Sequence, residues 1–192
     1  MSETDDTGLR QRFHEGDRQA FSALVAPHVD TLYTLCLRMT GNRVEAEDLA
    51  QDAIVRAIQQ HRAYDPSRPF RPWLLTVTAN LCRDRVRSTW WQKVVELVRA
   101  PVAMTADAED AALGDEREAC VRKALHTLPA MYREALSLYH LEDMSYAEMV
   151  LITGVSESAL KQRVRRGSQM LEVALRRLYP ELHLARTVSE GS

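Results

Sequence analysis

Residues 144–171 contain two helix starts in succession, and this pattern constrains the fold more than any other feature of the chain. Ser145 and Glu148 have the spacing of a capping box, in which each side chain accepts a hydrogen bond from the other residue's backbone N–H. Gly154 suits the left-handed residue after a helix end, and Ser156 suits the N-cap of a second helix. Two short helices joined by a glycine turn are typical of a helix-turn-helix.

The second of these helices carries four cations and few acids. They are Lys161, Arg163, Arg165 and Arg166. A helix that lies in the major groove of DNA needs such a basic face. A short helical hairpin with a solvated basic face would show the same pattern, so this stretch alone leaves both interpretations open.

Apolar residues recur at helical spacing along most of the chain, and no strand-like alternation of useful length occurs. The fold is therefore predicted to be all-α, with residues 1–16 as a polar lead-in and 181–192 as a loose tail. Pro27 either bends the first helix or begins a second one. Helices are predicted over residues 17–39, 45–61, 72–88, 90–100, 121–128, 131–141 and, in two pieces, 144–178.

Charge is distributed unevenly along the chain. The net charge is −2 overall, but −4 over residues 1–60, +5 over 61–100, −5 over 101–120 and +2 over 121–192. Alternating blocks indicate surfaces that meet different partners. The acidic block predicts a flexible linker between two small helical domains. The predicted N-terminal domain is 13–95, the linker 96–118, and the C-terminal helix-turn-helix domain of four helices 119–180.

Composition narrows the class of protein. The apolar fraction of 45% is ordinary for a globular protein. No apolar run approaches the ~20 residues of a membrane span, and the polar start is unlike a signal peptide, so a cytoplasmic protein without membrane insertion is expected. Cys36, Cys82 and Cys120 are widely spaced, which predicts three buried reduced thiols and neither a disulfide framework nor a metal site.

One predicted helix has an acidic side. Glu47, Asp48, Gln51 and Asp52 lie opposite the apolar stripe of residues 45–61. Such a side is either a solvated face or a docking surface for a basic partner. Metal ligation in an enzyme is a third alternative, but no His, Ser or Cys is placed to join these carboxylates.

A proline-rich loop over residues 62–72 feeds a basic helix. The three prolines impose extended or turn geometry, and the loop is predicted to present Tyr64, Asp65, Arg68 and Phe70. Aromatic rings that stack on bases, with cations along the backbone, are typical of single-strand binding. Aromatic residues in the core would give the same pattern. Asn80, Arg83, Asp84 and Arg87 lie off the inner stripe of the helix that follows.

Three segments together resemble bacterial sigma factors of the extracytoplasmic-function group, the compact two-domain members of the sigma-70 family. The first two segments are AEDLAQDAIVRAI (46–58) and DPSRPFRPWLLTVTANLCRDRVRS (65–88). The third is LHTLPAMYREALSLYHLEDMSYAEMVLITGVSESALKQRVRRGSQML (125–171). Their order and spacing, with an acidic linker between them, make the resemblance specific over about residues 13–178.

The resemblance implies a transcription initiation factor that is not an enzyme and uses no cofactor. Its implied partners are core RNA polymerase, promoter DNA and an anti-sigma factor. Asp48, Gln51 and Asp52 would dock on polymerase, and the linker would follow the path of nascent RNA. The implied −10 contacts are Tyr64, Asp65, Arg68, Phe70, Asn80, Arg83 and Arg87. The implied −35 contacts are Ser158, Lys161, Gln162, Arg165 and Arg166.

Some residues depart from the family pattern. Many members have Arg-Ala-Arg near the end of the recognition helix, where this chain has Arg166-Gly167-Ser168. Gly167 is expected to weaken the helix by about 1 kcal/mol relative to alanine. Pro27 and the Trp90-Trp91 pair are also outside the pattern.

Two other non-enzymatic functions fit part of the chain. A helix-turn-helix regulator that works without polymerase would explain residues 144–171, but not the acidic side or the proline-rich loop. A sigma mimic that sequesters an anti-sigma factor would need a receiver domain, for which no residues remain.

Overall fold

The computed structural model describes residues 3–99, 116–141 and 144–180, and the prediction of an all-α fold is confirmed for them. Nine α-helices occur in these ranges. They are α1 (Glu3–His14), α2 (Arg18–Val25), α3 (Val29–Thr40), α4 (Arg43–Gln59), α5 (Phe70–Arg99), α6 (Glu116–His126), α7 (Ala130–Tyr139), α8 (Tyr146–Thr153) and α9 (Glu157–Leu178). Most of the predicted linker, residues 100–115, and the predicted tail lie outside the described residues.

The predicted caps around α8 are confirmed except at one hydroxyl. Ser145 and Glu148 form the capping box, with backbone-to-side-chain distances of 2.9 and 3.2 Å. Gly154 follows α8 with a φ of 69°. Ser156 has the extended N-cap backbone, but its side chain makes no cap hydrogen bond and lies 3.3 Å from Ser158 Oγ.

The N-terminal bundle is built around α3, which packs against both α4 and α5. Leu32, Leu35 and Cys36 of α3 are fully buried. Cys82 of α5 lies opposite, with its Sγ atom 3.6 Å from that of Cys36. The prediction of three buried thiols is wrong for Cys120, which is half-buried in α6.

Two predicted boundaries are wrong in the N-terminal half. The polar lead-in forms α1, because Phe13 is 2% exposed and anchors this otherwise polar helix in the core. The helix predicted over residues 72–88 begins at Phe70 and continues to Arg99 without a break at Ser88. Pro27 lies in a short 3-10 turn, Ala26–His28, that separates α2 from α3. Of the two alternatives for Pro27, the start of a second helix is therefore correct.

Asp17 joins α1 to α2. Its carboxylate accepts hydrogen bonds from the backbone N–H groups of Gln19 and Ala20 and from the guanidinium of Arg12, at 2.6 and 2.8 Å. These contacts, led by Arg12, hold the pKa of Asp17 below its usual value. The ionised carboxylate therefore contributes stability above about pH 4, and the contribution is lost as the pH falls through the lowered pKa.

We expect Asp17→Ala to lower the free energy of unfolding at neutral pH, because the substitution removes both the cap and the ion pair. The difference from wild type should shrink as the pH falls towards 2. Urea unfolding at several pH values measures it. A difference that does not depend on pH would contradict the electrostatic part of this explanation.

Residues 18–40 are apolar enough, by length and composition, to be a membrane-span candidate, with a mean hydropathy of 1.2. The expectation concerned uninterrupted apolar runs, and it holds here, because this stretch includes Arg18, Asp30 and Arg38. In the structure, however, the stretch is divided at Pro27 into α2 and α3. Phe21, Leu24 and Leu32 are buried in the bundle, which accounts for the hydropathy of this stretch.

In the C-terminal bundle α9 packs closely on α7 at Gly167. A Cβ atom at Gly167 would lie 3.1 Å from the side chain of Leu136 and 3.4 Å from Tyr132 Cβ. The glycine therefore gives up helix propensity but lets the two helices approach each other. This contact explains the departure from the family pattern at residue 167.

We expect Gly167→Val to lower the free energy of unfolding by about 1–3 kcal/mol, because the added atoms overpack the α7–α9 contact. Gly8→Val in α1 is a matched control, since a Cβ atom at Gly8 would meet nothing within 4 Å. Chemical denaturation of both variants measures the effect. Equal stability of the two variants would show that close packing is not the role of Gly167.

Candidate nucleic-acid interface

The outward face of α9 carries all five residues that the family resemblance implies for −35 recognition. Ser158, Lys161, Gln162, Arg165 and Arg166 are exposed. Leu160 and Val164 lie on the opposite face and are buried. The sequence folds this way because the apolar residues repeat at helical spacing and leave the polar ones on the other side.

The cations on this face differ in their surroundings. Lys161 Nζ lies 2.6 Å from Glu157 Oε1 and 5.4 Å from the ring centroid of Tyr146. The hydrogen bond to Glu157 raises the pKa of Lys161 above its usual value. In the described part of the chain neither Arg165 nor Arg166 has an ion-pair partner. Their guanidinium groups are therefore the ones most readily available to phosphates or base edges.

The prediction that the proline-rich loop presents Tyr64 and Phe70 is wrong for this structure. Tyr64 is 1% and Phe70 3% exposed, and both rings pack around Phe13 of α1, at centroid distances of 5.6 and 5.5 Å. The Tyr64 hydroxyl donates a hydrogen bond to the Arg68 carbonyl at 2.6 Å. The two rings hold the loop in place, and the exposed side chains assigned to DNA in this loop are those of Asp65 and Arg68.

Asp65 stiffens the tip of the loop. Its Oδ1 accepts hydrogen bonds from the Ser67 hydroxyl at 2.6 Å and from the Ser67 backbone N–H at 3.0 Å. These bonds, the hydroxyl first, hold the pKa of Asp65 below its usual value. The Asp65 carboxylate therefore has a structural role, because it fixes this turn. The prediction of a DNA contact did not include that role.

The three residues of α5 that are candidates for contact with the opened DNA strand differ in their surroundings. Asn80 and Arg87 are exposed, and Arg87 pairs with Asp84 at 2.6 Å. Arg83 is engaged by the C-terminal bundle: its Nε lies 2.9 Å from Glu134 Oε1 of α7. Its Nη2 also donates to the carbonyl of Ile152 at 3.2 Å. The sequence could not indicate this, because the partners are separated by more than fifty residues.

The acidic side of α4 is exposed at every residue assigned to polymerase docking, namely Asp48, Gln51 and Asp52. Val44 and Val55, which are 68% and 52% exposed, flank these residues at helical spacing. Two exposed valines beside the carboxylates add apolar area to a surface that the sequence showed only as acidic. No group of three or more candidate metal ligands occurs in the described part of the chain.

Comparison with known proteins identifies the family. Residues 24–92 match the family model for Sigma-70 region 2, and residues 118–171 match that for Sigma-70, region 4. The ECF RNA polymerase sigma factor SigW of Bacillus subtilis is 33% identical over 177 residues, which cover 85% of this chain and 93% of SigW. The RNA polymerase sigma factor CarQ of Myxococcus xanthus is 34% identical over 179 residues, 92% of this chain and 99% of CarQ.

Solved structures give the same result for the fold. CnrH, solved in complex with the cytosolic domain of CnrY, has a TM-score of 0.65 at 26% identity. The match covers 88% of this chain and 96% of CnrH. The sigma factor RpoE of Bartonella quintana, solved with the anti-sigma factor NepR, has a TM-score of 0.66 at 23% identity, covering 81% and 96%. The chain therefore belongs to the extracytoplasmic-function group of the sigma-70 family, and it is a sigma factor that directs RNA polymerase to initiate transcription.

Proposed function

We propose that this sigma factor divides its work between two domains on one chain. The N-terminal domain, predicted as residues 13–95 and extended here to include α1, docks on core polymerase and holds the opened −10 strand. The C-terminal domain, residues 119–180, reads the −35 element, and residues 96–118 connect the two. The observation that carries the proposal is α9, whose buried face packs in the bundle while its assigned residues all face outward.

Docking would use the exposed side of α4. Asp48 and Asp52 supply the charge that attracts a basic partner, and Gln51 supplies a neutral polar group on the same side of the helix. Val44 and Val55 supply apolar area at its edges. Docking would place both DNA-reading surfaces at a fixed separation, so that their binding adds as in a bivalent ligand.

Promoter opening would depend on capture of unpaired bases and not on catalysis by the sigma factor. Extruding and unstacking a base costs a few kcal/mol. Asp65, Arg68, Asn80, Arg83 and Arg87 would offset this cost through contacts to the displaced strand. Tyr64 and Phe70 would act indirectly, by fixing the loop that carries Asp65 and Arg68.

An anti-sigma factor is proposed as a further partner, and the cytoplasm as the place of action. The support for the partner is that CnrH, at 26% identity, was solved with the cytosolic domain of another protein. A protein that works on polymerase and DNA acts where both are found, which supports the location.

A gel shift with and without core polymerase tests the proposed function. We expect weak binding of promoter DNA by the free protein and tight binding once core polymerase is added. Tight and specific binding by the protein alone would favour the alternative, a helix-turn-helix regulator that works without polymerase.

A further inference from the structure

Helix α1 lies outside the part of the chain that the Sigma-70 region 2 model matches. That match begins at residue 24, whereas α1 ends at His14. The proposed function assigns α1 no contact of its own. Although α1 is mostly polar, it packs against α2 and against the short turn His61–Ala63 at the start of the proline-rich loop. Helix α1 is therefore next to the loop that carries two of the proposed strand contacts.

Two polar side chains of α1 bind backbone carbonyls of this loop. His14 Nδ1 donates a hydrogen bond to the Tyr64 carbonyl at 2.8 Å. Because a carbonyl oxygen can only accept, the His14 ring carries a proton on Nδ1 in this contact. Arg10 Nη1 donates to the Arg68 carbonyl at 3.0 Å. Tyr64 and Arg68 flank the turn that Asp65 fixes, so one helix holds both ends of the turn.

Further hydrogen bonds fix both partners of the contact between Arg10 and Arg68. The Arg68 carbonyl also accepts from the Tyr64 hydroxyl at 2.6 Å. A carbonyl oxygen has two lone pairs, so the two donors satisfy it completely. The guanidinium of Arg10 is oriented by its other terminal nitrogen, Nη2, which donates to Thr7 Oγ1 at 2.8 Å. The contact is therefore part of a small network that connects α1 to the loop.

Phe13 supplies the apolar part of the same contact. Its ring centroid lies 5.6 Å from that of Tyr64, 5.5 Å from that of Phe70 and 5.8 Å from that of Trp73. Phe13 is 2% exposed. Because the core around it is close-packed, α1 cannot shift along the loop without opening that core.

A loop that captures an unpaired base binds better when it is ordered beforehand. Fixing the backbone of a loop residue costs conformational entropy. A loop that is already ordered does not lose this entropy when a DNA strand binds. Asp65 and Arg68, the exposed loop side chains assigned to the −10 strand, belong to the turn whose ends α1 holds. A displacement of the two carbonyls would therefore displace both side chains.

We propose that α1 is a brace for the proline-rich loop, and that Arg10, Phe13 and His14 are positioning residues for capture of the −10 strand. These three residues have the spacing of one helix face. They act through the Tyr64 and Arg68 carbonyls and not by touching DNA. The proposal rests on the proposed function in one respect, which is the contact between this loop and the −10 strand.

Hydrogen exchange in the free protein tests the brace itself. The backbone N–H groups of Tyr64 and Arg68 donate to nearby backbone carbonyls at 3.2 and 3.0 Å, and their exchange rates report the order of the loop. In the Arg10→Ala, His14→Ala variant we expect both to exchange roughly tenfold faster, because two hydrogen bonds to the loop are lost. Amides of α4 should exchange as in wild type. Unchanged exchange in the loop, or an equal increase in α4, would overturn the proposal.

The chain offers matched variants for this test. Gln11→Ala changes the same turn of α1, but Gln11 Nε2 donates to Glu15 Oε1 within the helix, so exchange in the loop should not change. Arg10→Lys and His14→Gln each keep an N–H donor for the loop and should restore part of the protection. Alanine favours a helix more than arginine or histidine does. A loss of helix stability would therefore not explain faster exchange in the alanine variant.

Transcription by the complex with core polymerase tests the consequence for promoters. The probe is a library of promoters randomised over the −35 and −10 elements, with transcripts sequenced. For the Arg10→Ala, His14→Ala variant, the best −10 sequences should lose roughly tenfold of their advantage over unrelated ones. The preference at −35 should match wild type. Equal losses at the two elements would overturn the proposal, and so would wild-type preference at −10 in a variant whose loop exchanges faster.

Failure of the proposed function gives a different result. If the wild-type complex shows no preference at −10, the loop does not read that element, and the proposed function is wrong for this loop. The exchange rates of the free protein would still decide whether α1 braces it.

Discussion

Asp48→Asn together with Asp52→Asn should weaken the binding of core RNA polymerase roughly 30-fold or more, and transcription from the dependent promoters should fall with it. Losing a charge that is paired across an interface costs about 2–5 kcal/mol. Both carboxylates are exposed and make no ion pair among the described residues, so the fold should be unaffected. Fluorescence anisotropy of the labelled protein, titrated with core polymerase, measures the affinity.

The matched control for this effect is Glu15→Gln with Glu172→Gln. It also removes two exposed carboxylates, one from each half of the chain. We expect this control to bind polymerase like wild type. If the Asp48→Asn, Asp52→Asn variant and the control lose affinity equally, the effect is one of net charge, and α4 is not the docking surface.

Arg165→Ala and Arg166→Ala should each weaken promoter binding by the polymerase complex, by about 1–3 kcal/mol where the arginine reads a base edge. Both are exposed on α9 and have no ion-pair partner among the described residues, so their loss should not disturb the bundle. Binding measured on promoters with single changes in the −35 element reports the effect.

The dependence on sequence separates two kinds of contact. Removing an arginine that reads a base should make binding tolerant of base changes at one −35 position. Removing an arginine that binds phosphate should weaken binding to all promoters alike and make binding less dependent on salt concentration. Arg18→Ala, an exposed arginine of α2, is the control and should have no effect. If the Arg165→Ala, Arg166→Ala double variant binds promoters like wild type, α9 does not recognise the −35 element.

Local features of the chain could be predicted from the sequence because their causes are local. The capping box at Ser145 and Glu148, the left-handed Gly154 and the end of α9 at Leu178 each depend on residues within one turn. The exposed face of α9 was predictable for the same reason, since its helical spacing leaves Arg165 and Arg166 on the side opposite Leu160.

Features that depend on distant residues could not be predicted in this way. Tyr64 and Phe70 are buried because Phe13 packs on them, and Phe13 lies in a segment whose polar composition indicated a lead-in. Gly167 reduces helix propensity, and only the neighbouring Leu136 shows what it permits. Arg83 has the composition of a strand contact whether or not Glu134 holds it.

Reconstituted transcription on a promoter library, with the 5′ ends of the transcripts sequenced, tests the central claim most directly. Core polymerase with this protein should initiate at a defined set of positions that share a −35 and a −10 element. Core polymerase alone should not use those positions. The same start sites with and without the protein would contradict the claim that this protein selects promoters for RNA polymerase.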